Sequence, residues 1–355
     1  MKHIIGVNPE PPGQQVKTVL VDGEGAGQRL DNFLMRCLKG VPKTHIYRII
    51  RSGEVRINKG RVRADTRVAA GDLVRLPPVR VAQRDVPLPG PASTLGRGRV
   101  AVPVQSFPVL FEDDYFLAID KPAGVAVHGG SGVAFGVIEQ LRMARPGAVF
   151  LELVHRLDRE TSGVLLVAKR RSALKHLQDQ FRQRETGKTY LAVVVGHWPT
   201  NKKVLDKPLH KYLVPMADGP QGGERRVKVV AKDHPDGMPS LSLVKLRATN
   251  VPTAGGLAQA FSLLEVTIKT GRTHQIRVHL ASEGMPIAGD DKYGNFDTNK
   301  ALARATGPGS LARMFLHAWR FECQHPASGE RMEIRSELPP DLLGFLRVAL
   351  PGACV

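Results

Sequence analysis

VFLELVHRLDRETSGVLLVAK, residues 149–169, sets a polar loop between two apolar runs. VFLELV and VLLVAK have the length and branched side chains of buried strands. A loop held at both ends by such strands is where a rigid scaffold can present reactive groups. The loop, HRLDRETSG (155–163), offers one clear carboxylate, Asp158, flanked by Arg156 and Arg159, with Glu160 two residues on. Neighbouring cations favour the ionised form, which a nucleophilic carboxylate requires. On residue types alone, a salt-bridged surface loop is the commoner fate of an Asp between two Args.

Around this loop the pattern predicts an α+β unit. Upstream lie a strand, YFLAID, the turn KPAG, then VAVH, and a helical pattern near 136–144. Downstream, residues 172–184 place Leu174, Leu177 and Phe181 on one helical face. KTYLAVVVG and FSLLEVTIKT read as further strands, with 212–240 between them as a polar insertion. This larger unit is expected over 108–350. Ahead of it, 81–107 is rich in Pro, Gly and Arg without periodicity and reads as a linker. Residues 18–80 read as a small unit of two helices and a hairpin. RLDNFLMRCLKG is helical, with Leu30, Phe33, Leu34 and Leu38 in register and Gly40 ending it. THIYRIIRSG is a second helix, with Thr44 as N-cap and Gly53 past its end. EVRINKGRV turns tightly at Asn58-Lys59-Gly60, and AAGDLVRLP supplies a last strand. Residues 1–17 are expected to be a flexible tail.

Charge narrows the partner. Formal net charge is +18 and the pI about 10.1, an excess that points to a polyanion, most often nucleic acid. Residues 28–80 hold 13 basic and 4 acidic side chains, so half of the excess sits in the small unit. Hydrophobic residues make up 42%, enough for a real core. No run of eighteen apolar residues suggests a membrane span, and the opening MKHIIGVNPEPPGQQ has too short an apolar stretch for a signal peptide. Cys37, Cys323 and Cys354 form no CxxC pair, so neither a disulfide framework nor a zinc site is expected. A cytoplasmic protein is the simplest expectation.

Resemblance sharpens the chemistry. VHRLDRETSGVLLVAK closely resembles the signature of the large pseudouridine synthase family acting on ribosomal and some transfer RNAs. LAIDKPAGVAVH (117–128), GKTY (187–190), GRTHQIRVHLASEGMPIAGDDKYG (271–294) and MFLHAWRFECQHPASGE (314–330) resemble its other blocks, in the family's order. The resemblance implies a mixed, largely antiparallel sheet with flanking helices. It also implies Asp158 as nucleophile, Tyr190 packing on the target base, and Arg277 pairing with Asp158. Arg156, Arg159, Thr161, Gly163, His274 and Leu280 are the expected substrate contacts, with Arg156 filling the gap that a flipped base leaves. QRLDNFLMRCLKGVPKTHIYRIIRSGEVRINKGRV is similar to an S4 RNA-binding domain, with Arg29, Lys43, Arg48, Arg51, Arg56, Lys59 and Arg61 as its RNA contacts. LKGVPK and LPPVRVAQ resemble the branch that modifies large-subunit (23S) ribosomal RNA, as free RNA or in an assembly intermediate. The departure lies at GPQGGERRVKVVAKDHPDGMP (219–239).

Pseudouridine formation breaks the N-glycosidic bond, turns the uracil, and joins C5 to the ribose. It needs neither redox step nor energy source, so no cofactor is expected, and no P-loop or dinucleotide fingerprint is found. The carboxylate adds either to ribose C1′ or to uracil C6; the sequence leaves both routes open. An ordinary phenol, with pKa about 10, is a poor base, so Tyr190 is expected to stack. Other residues read as structural. Lys121 and Pro122 shape a turn, Gly124 takes a positive φ, and Trp198 and Trp319 belong to the core. His274 and His279 are no metal pair, and Ser162 lacks an identifiable base. Two rivals stand against the synthase: a non-catalytic RNA-binding or ribosome-assembly protein, which has no need to keep Asp158, Tyr190 and Arg277 together, and a glycoside hydrolase or nucleosidase using Asp158, which usually needs two carboxylates. A monomer without membrane contact is expected.

Overall fold

The structure, a computed structural model, describes residues 16–23, 25–38, 41–79, 106–129, 135–215, 223–250 and 259–353. The expected tail falls almost wholly outside these, as do the linker apart from its last two residues, Gly40 and Cys354. The chain divides into two compact units, residues 1–100 and 101–355.

The smaller unit packs helices Leu30–Cys37 and Lys43–Arg51 on a four-stranded antiparallel sheet. Its strands run in the order Lys17–Leu20, Leu73–Leu76, Arg56–Ile57, Gly60–Arg61. Leu30, Phe33, Leu34, Ile46, Ile49, Val55 and Val74 form its core. Asn58 and Lys59 both take positive φ, 49° and 69°, as a two-residue hairpin turn requires. Pro42, rather than Thr44, is the N-cap of the second helix. Its carbonyl already accepts from the His45 and Ile46 amides, so Thr44 falls inside the first turn.

The larger unit is built on a ten-stranded sheet. The main path runs Val204–Asp206, Leu241–Thr249, Phe261–Ile268, Gly187–Val195, Leu316–Gln324, Ser162–Ala168, Phe116–Lys121, Val109–Glu112. Every described pairing in it is antiparallel except one. Leu316–Gln324 meets Ser162–Ala168 in parallel, at His317↔Ser162 and Ala318↔Gly163. Two antiparallel halves therefore join at a short seam, and the 155–161 loop leads into it.

Gly163 makes the seam possible. Its φ is 110°, and a Cβ there would collide with the Ala318 carbonyl oxygen. Ser162–Ala168 is buried at all seven positions, which explains its unbroken apolar run. The strand expected over VFLELV shrinks to Glu152–Leu153. One edge of Ser162–Ala168 is divided: Glu152–Leu153 takes one end, Leu316–Gln324 the other. Between them the Leu166 amide donates to the His155 ring (3.1 Å), ending the ladder.

The stretch expected as a polar insertion is a hairpin, Leu209–Pro215 against Gly223–Val229, with its tip outside the described residues. Leu209 and Val227 bury against Val278 of helix Gln275–Ala281, which places the ribbon beside the 271–294 block. Helices Val137–Ala144, Arg171–Gln183, Phe296–Arg304 and Pro340–Ala349 complete the unit. Trp198 and Trp319 are buried in the core, as expected.

Candidate active site

At the seam, a cavity of about 580 Å³ opens over the polar loop, lined by Arg156, Asp158, Thr161, Tyr190, His274 and Arg277 among others. Among the described residues, seven Lys or Arg side chains line it against one carboxylate, Asp158. A cationic bowl around a single acid suits a polyanion with one reactive centre.

The loop is held from below. Lys121 is 0% exposed, and its ammonium donates to the carbonyls of Pro122 (2.7 Å), Val125 (2.8 Å) and Arg159 (3.0 Å). Burial draws its pKa down to about 7, against the pull of Glu160 and Asp158. Gly124 takes φ 81°; its amide donates to the Arg159 carbonyl, and the Arg159 side chain donates back to the Gly124 carbonyl, both at 2.9 Å. Lys121 thus does more than shape the turn read from the sequence. It fastens the KPAG turn to the loop that carries Asp158. Within the loop the Thr161 amide donates to the Asp158 carbonyl at 3.2 Å.

Arg277 is 4% exposed and faces Asp158, its Nη1 3.8 Å from Oδ2. Its closer partner is Asp290, to which Nε and Nη2 each donate at 2.7 Å, with Asp291 at 3.1 Å. Burial opposes ionisation of Asp290, but the guanidinium and the Lys292 and Tyr293 amides hold it below the usual carboxylate range. The pairing expected of Arg277 is therefore shared. Asp290 fixes the guanidinium, and the remaining edge faces Asp158. Sequence reading missed Asp290, whose signal is the Asp doublet in GDDKYG.

His274, with φ 53°, caps helix Gln275–Ala281. Its Nε2 lies 3.9 Å from Asp158 Oδ2 and its Nδ1 2.8 Å from the Tyr293 hydroxyl, which also accepts from the Val227 amide. Burial keeps this imidazole below its ordinary pKa. Tyr293 is a second residue the sequence did not reveal. Tyr190 lines the cavity from strand Gly187–Val195, and burial, with Asp158, pushes its phenol up. The phenol therefore holds its proton more firmly than an ordinary one, and its phenolate is even less available as a base.

Three expected contacts fall elsewhere. Leu280 is 0% exposed inside the core of the larger unit, where it shares a helix face with Ile276, four residues back. Gly163 belongs to the seam, and Arg159 is not among the cavity-lining residues; its side chain and its carbonyl both tie the loop to the KPAG turn. Ser162 is buried, its Oγ 2.9 Å from His317 Nδ1 and accepting from Arg313 at 3.1 Å. It is a structural hydrogen bond of the seam. Neither His274 nor His279 belongs to a metal cluster among the described residues. His210, His234 and Asp236 bring ligand atoms within 4.8 Å of one another, a grouping the sequence reading did not single out, and none of them lines the cavity.

In the smaller unit Lys43, Arg48, Arg51, Lys59 and Arg61 are exposed. Arg29 pairs with Asp31 at 2.8 Å, and half-buried Arg56 donates to the carbonyls of Gly53 and Lys59. A hollow of about 350 Å³ is lined by Tyr47, Arg51, Arg61 and Arg63 with their neighbours. Tyr47 and Arg63 were not anticipated.

A basic helical module joined to a split-sheet unit, with one carboxylate in a cationic cavity, defines an RNA-modifying enzyme. The chain matches the RNA pseudouridylate synthase family over residues 115–282 and the S4 domain over 28–74. It is 46% identical to ribosomal large subunit pseudouridine synthase C of Yersinia pestis, over 96% of this chain and 98% of that one. Against the protein of the same name from Escherichia coli K12 the figures are 47%, 92% and 94%. Among solved structures, human RNA pseudouridylate synthase domain containing 4 superposes with a TM-score of 0.52 at 26% identity, covering 68% of this chain and 92% of its own. Human RNA pseudouridylate synthase domain containing 1 shares the fold, with a TM-score of 0.51, 24% identity, and coverage of 70% and 89%. The chain belongs to the RNA pseudouridylate synthase family: it is an RNA pseudouridine synthase carrying an S4 RNA-binding domain.

Proposed function

We propose that this enzyme converts specific uridines of large-subunit (23S) ribosomal RNA to pseudouridine, with Asp158 as nucleophile on a base flipped out of the RNA. The observation that carries the reading is Asp158 itself, the one carboxylate among the described residues that line a cationic cavity, with Arg277 3.8 Å away. The substrate is taken from the near full-length relatives, whose names specify the large subunit.

Extrusion of the uridine costs a few kcal/mol. Stacking on Tyr190 offsets roughly 1–3 kcal/mol of it, and Arg156, next to the reactive loop, takes the place of the flipped base in the RNA. The Asp158 carboxylate, with Arg277 beside it, adds to ribose C1′ or uracil C6. The N1–C1′ bond breaks, the uracil turns, the C5–C1′ bond forms, the bond to Asp158 breaks and returns the carboxylate, C5 loses its proton and N1 gains one. Atoms and electrons balance without an oxidant. His274, Thr161 and Arg159 support the site: the first beside the carboxylate, the second at the cavity wall, the third by fastening the loop to the KPAG turn. The S4 unit, 18–80, holds RNA by phosphate contacts from Lys43, Arg48, Arg51, Lys59 and Arg61, and 108–350 performs the reaction. A monomeric cytoplasmic enzyme fits this role, and among the described residues no helix is long and apolar enough to cross a membrane.

The test is to map pseudouridines in ribosomal RNA from cells lacking the protein, with and without the gene restored. Large-subunit uridines that lose and regain modification are expected. An unchanged large-subunit map with altered transfer RNA would redirect the substrate.

A further inference from the structure

We propose that Lys188 is a phosphate clamp: its ammonium receives a backbone phosphate beside the target uridine and so positions the strand over Asp158. The proposal rests on the RNA substrate argued above.

Lys188 lies on strand Gly187–Val195, lines the cavity, and is 8% exposed. Buried cations are ordinarily paired. Among the described residues, however, no acceptor pairs with this ammonium, which sits 5.1 Å above the Phe181 ring. Its surroundings add positive charge. Lys269 and Arg184, on the same cavity wall, join burial in drawing its pKa down to about 8. His155 stacks on Phe181 (5.2 Å) and Phe321 (5.7 Å), and its Nε2 accepts the Leu166 amide. That acceptor role makes it a neutral ring with nothing to offer the ammonium. Glu322, opposite Gly187 on the neighbouring strand, is held by Arg331 at 2.8 Å.

A desolvated cation on a rigid aromatic stack, facing a cavity, is a preformed anion site. The spacing fits a nucleotide. Lys188 and Tyr190 are two apart on one strand and so share a face, roughly 7 Å between Cα atoms. That is the reach from a stacked base to backbone phosphate. The bland alternative is a lysine whose stem merely covers Phe181.

The test measures RNA affinity of the full-length protein over a range of salt for wild type, Lys188→Met and Lys188→Arg, with folding checked by thermal melts. Lys188→Gln replaces the Met variant should that one not fold. The RNA carries a neutral methylphosphonate at each phosphate flanking the target in turn. Lys188→Met should bind about tenfold more weakly, with the log–log salt slope reduced by about one, and Lys188→Arg should recover most of the loss. One methylphosphonate should weaken wild type similarly and leave Lys188→Met unchanged. Equal affinity and slope in a folded charge-free variant, or methylphosphonate effects that persist in it, would overturn the clamp. These binding arms need no turnover, so a wild type that binds the RNA without forming pseudouridine counts against the substrate reading and leaves the clamp to be judged separately.

Discussion

A lysine with no exposure and three carbonyl partners, such as Lys121, is unusual because an ammonium so buried loses its water. Removing it strands the carbonyls of Pro122 and Val125, each worth roughly 1–3 kcal/mol if left unsatisfied, and leaves the Arg159 carbonyl with the Gly124 amide alone. Lys121→Met should therefore lower stability by about 2–4 kcal/mol, and lower turnover more than RNA affinity, because the loop holding Asp158 loosens. The pH dependence has a definite sign. A folded-state pKa near 7 against 10.5 for an ordinary lysine means the unfolded chain binds more protons between those values, so this group's contribution to stability grows as pH rises through that window. The gap in melting temperature between wild type and Lys121→Met should widen from pH 7 to pH 9. A gap that is constant or narrows across that range would contradict the buried, proton-losing ammonium. The sequence showed Lys121 only as part of a turn, because burial of a cation leaves no local signature. It concealed Asp290 for a related reason: the partner of Arg277 lies a turn and a loop away, in a doublet that reads equally well as surface charge.

Elements were legible where periodicity was local. Helix Arg171–Gln183 and strands Gly187–Val195 and Phe261–Ile268 carry their own hydrophobic patterns, and the structure places them where those patterns predict. Strand Glu152–Leu153 was overestimated, because its length is set by how two neighbours divide one edge of Ser162–Ala168. The Leu209–Pro215 hairpin was missed because its apolar side is sparse, with Leu209 and Val227 meeting a helix remote in sequence. Gly163 likewise became intelligible only at the seam, where it lets the two halves of the sheet meet. Gly163→Ala forces a side chain into a positive φ and against the Ala318 carbonyl, two penalties together of about 2–4 kcal/mol. Chemical denaturation should show that loss. A substitution within 0.5 kcal/mol of wild type, a range typical of neutral surface changes, would mean the seam is looser than described.

For the whole molecule, the proposed function implies a division of labour: a basic module that holds RNA and a larger unit whose cavity carries Asp158. Removing residues 1–84 should leave the larger unit folded, since among the described residues its core draws on none of them. RNA affinity and its salt slope should both fall, because phosphate contacts dominate such binding. Filter binding over a salt series would show this. Unchanged affinity and slope would assign RNA binding to the catalytic unit alone.

Asp158→Asn bears most directly on the central claim, that this carboxylate attacks the nucleotide. The amide keeps the shape and can still accept hydrogen bonds, but loses the charge and the nucleophilic oxygen. Pseudouridine formation on ribosomal RNA fragments should be measured by tritium release or mass spectrometry, beside a binding titration. Turnover should fall to background while RNA affinity stays within about tenfold, roughly 1.4 kcal/mol, because other residues make the phosphate contacts. Substantial pseudouridine formation by a verified Asp158→Asn protein would contradict the nucleophile assignment.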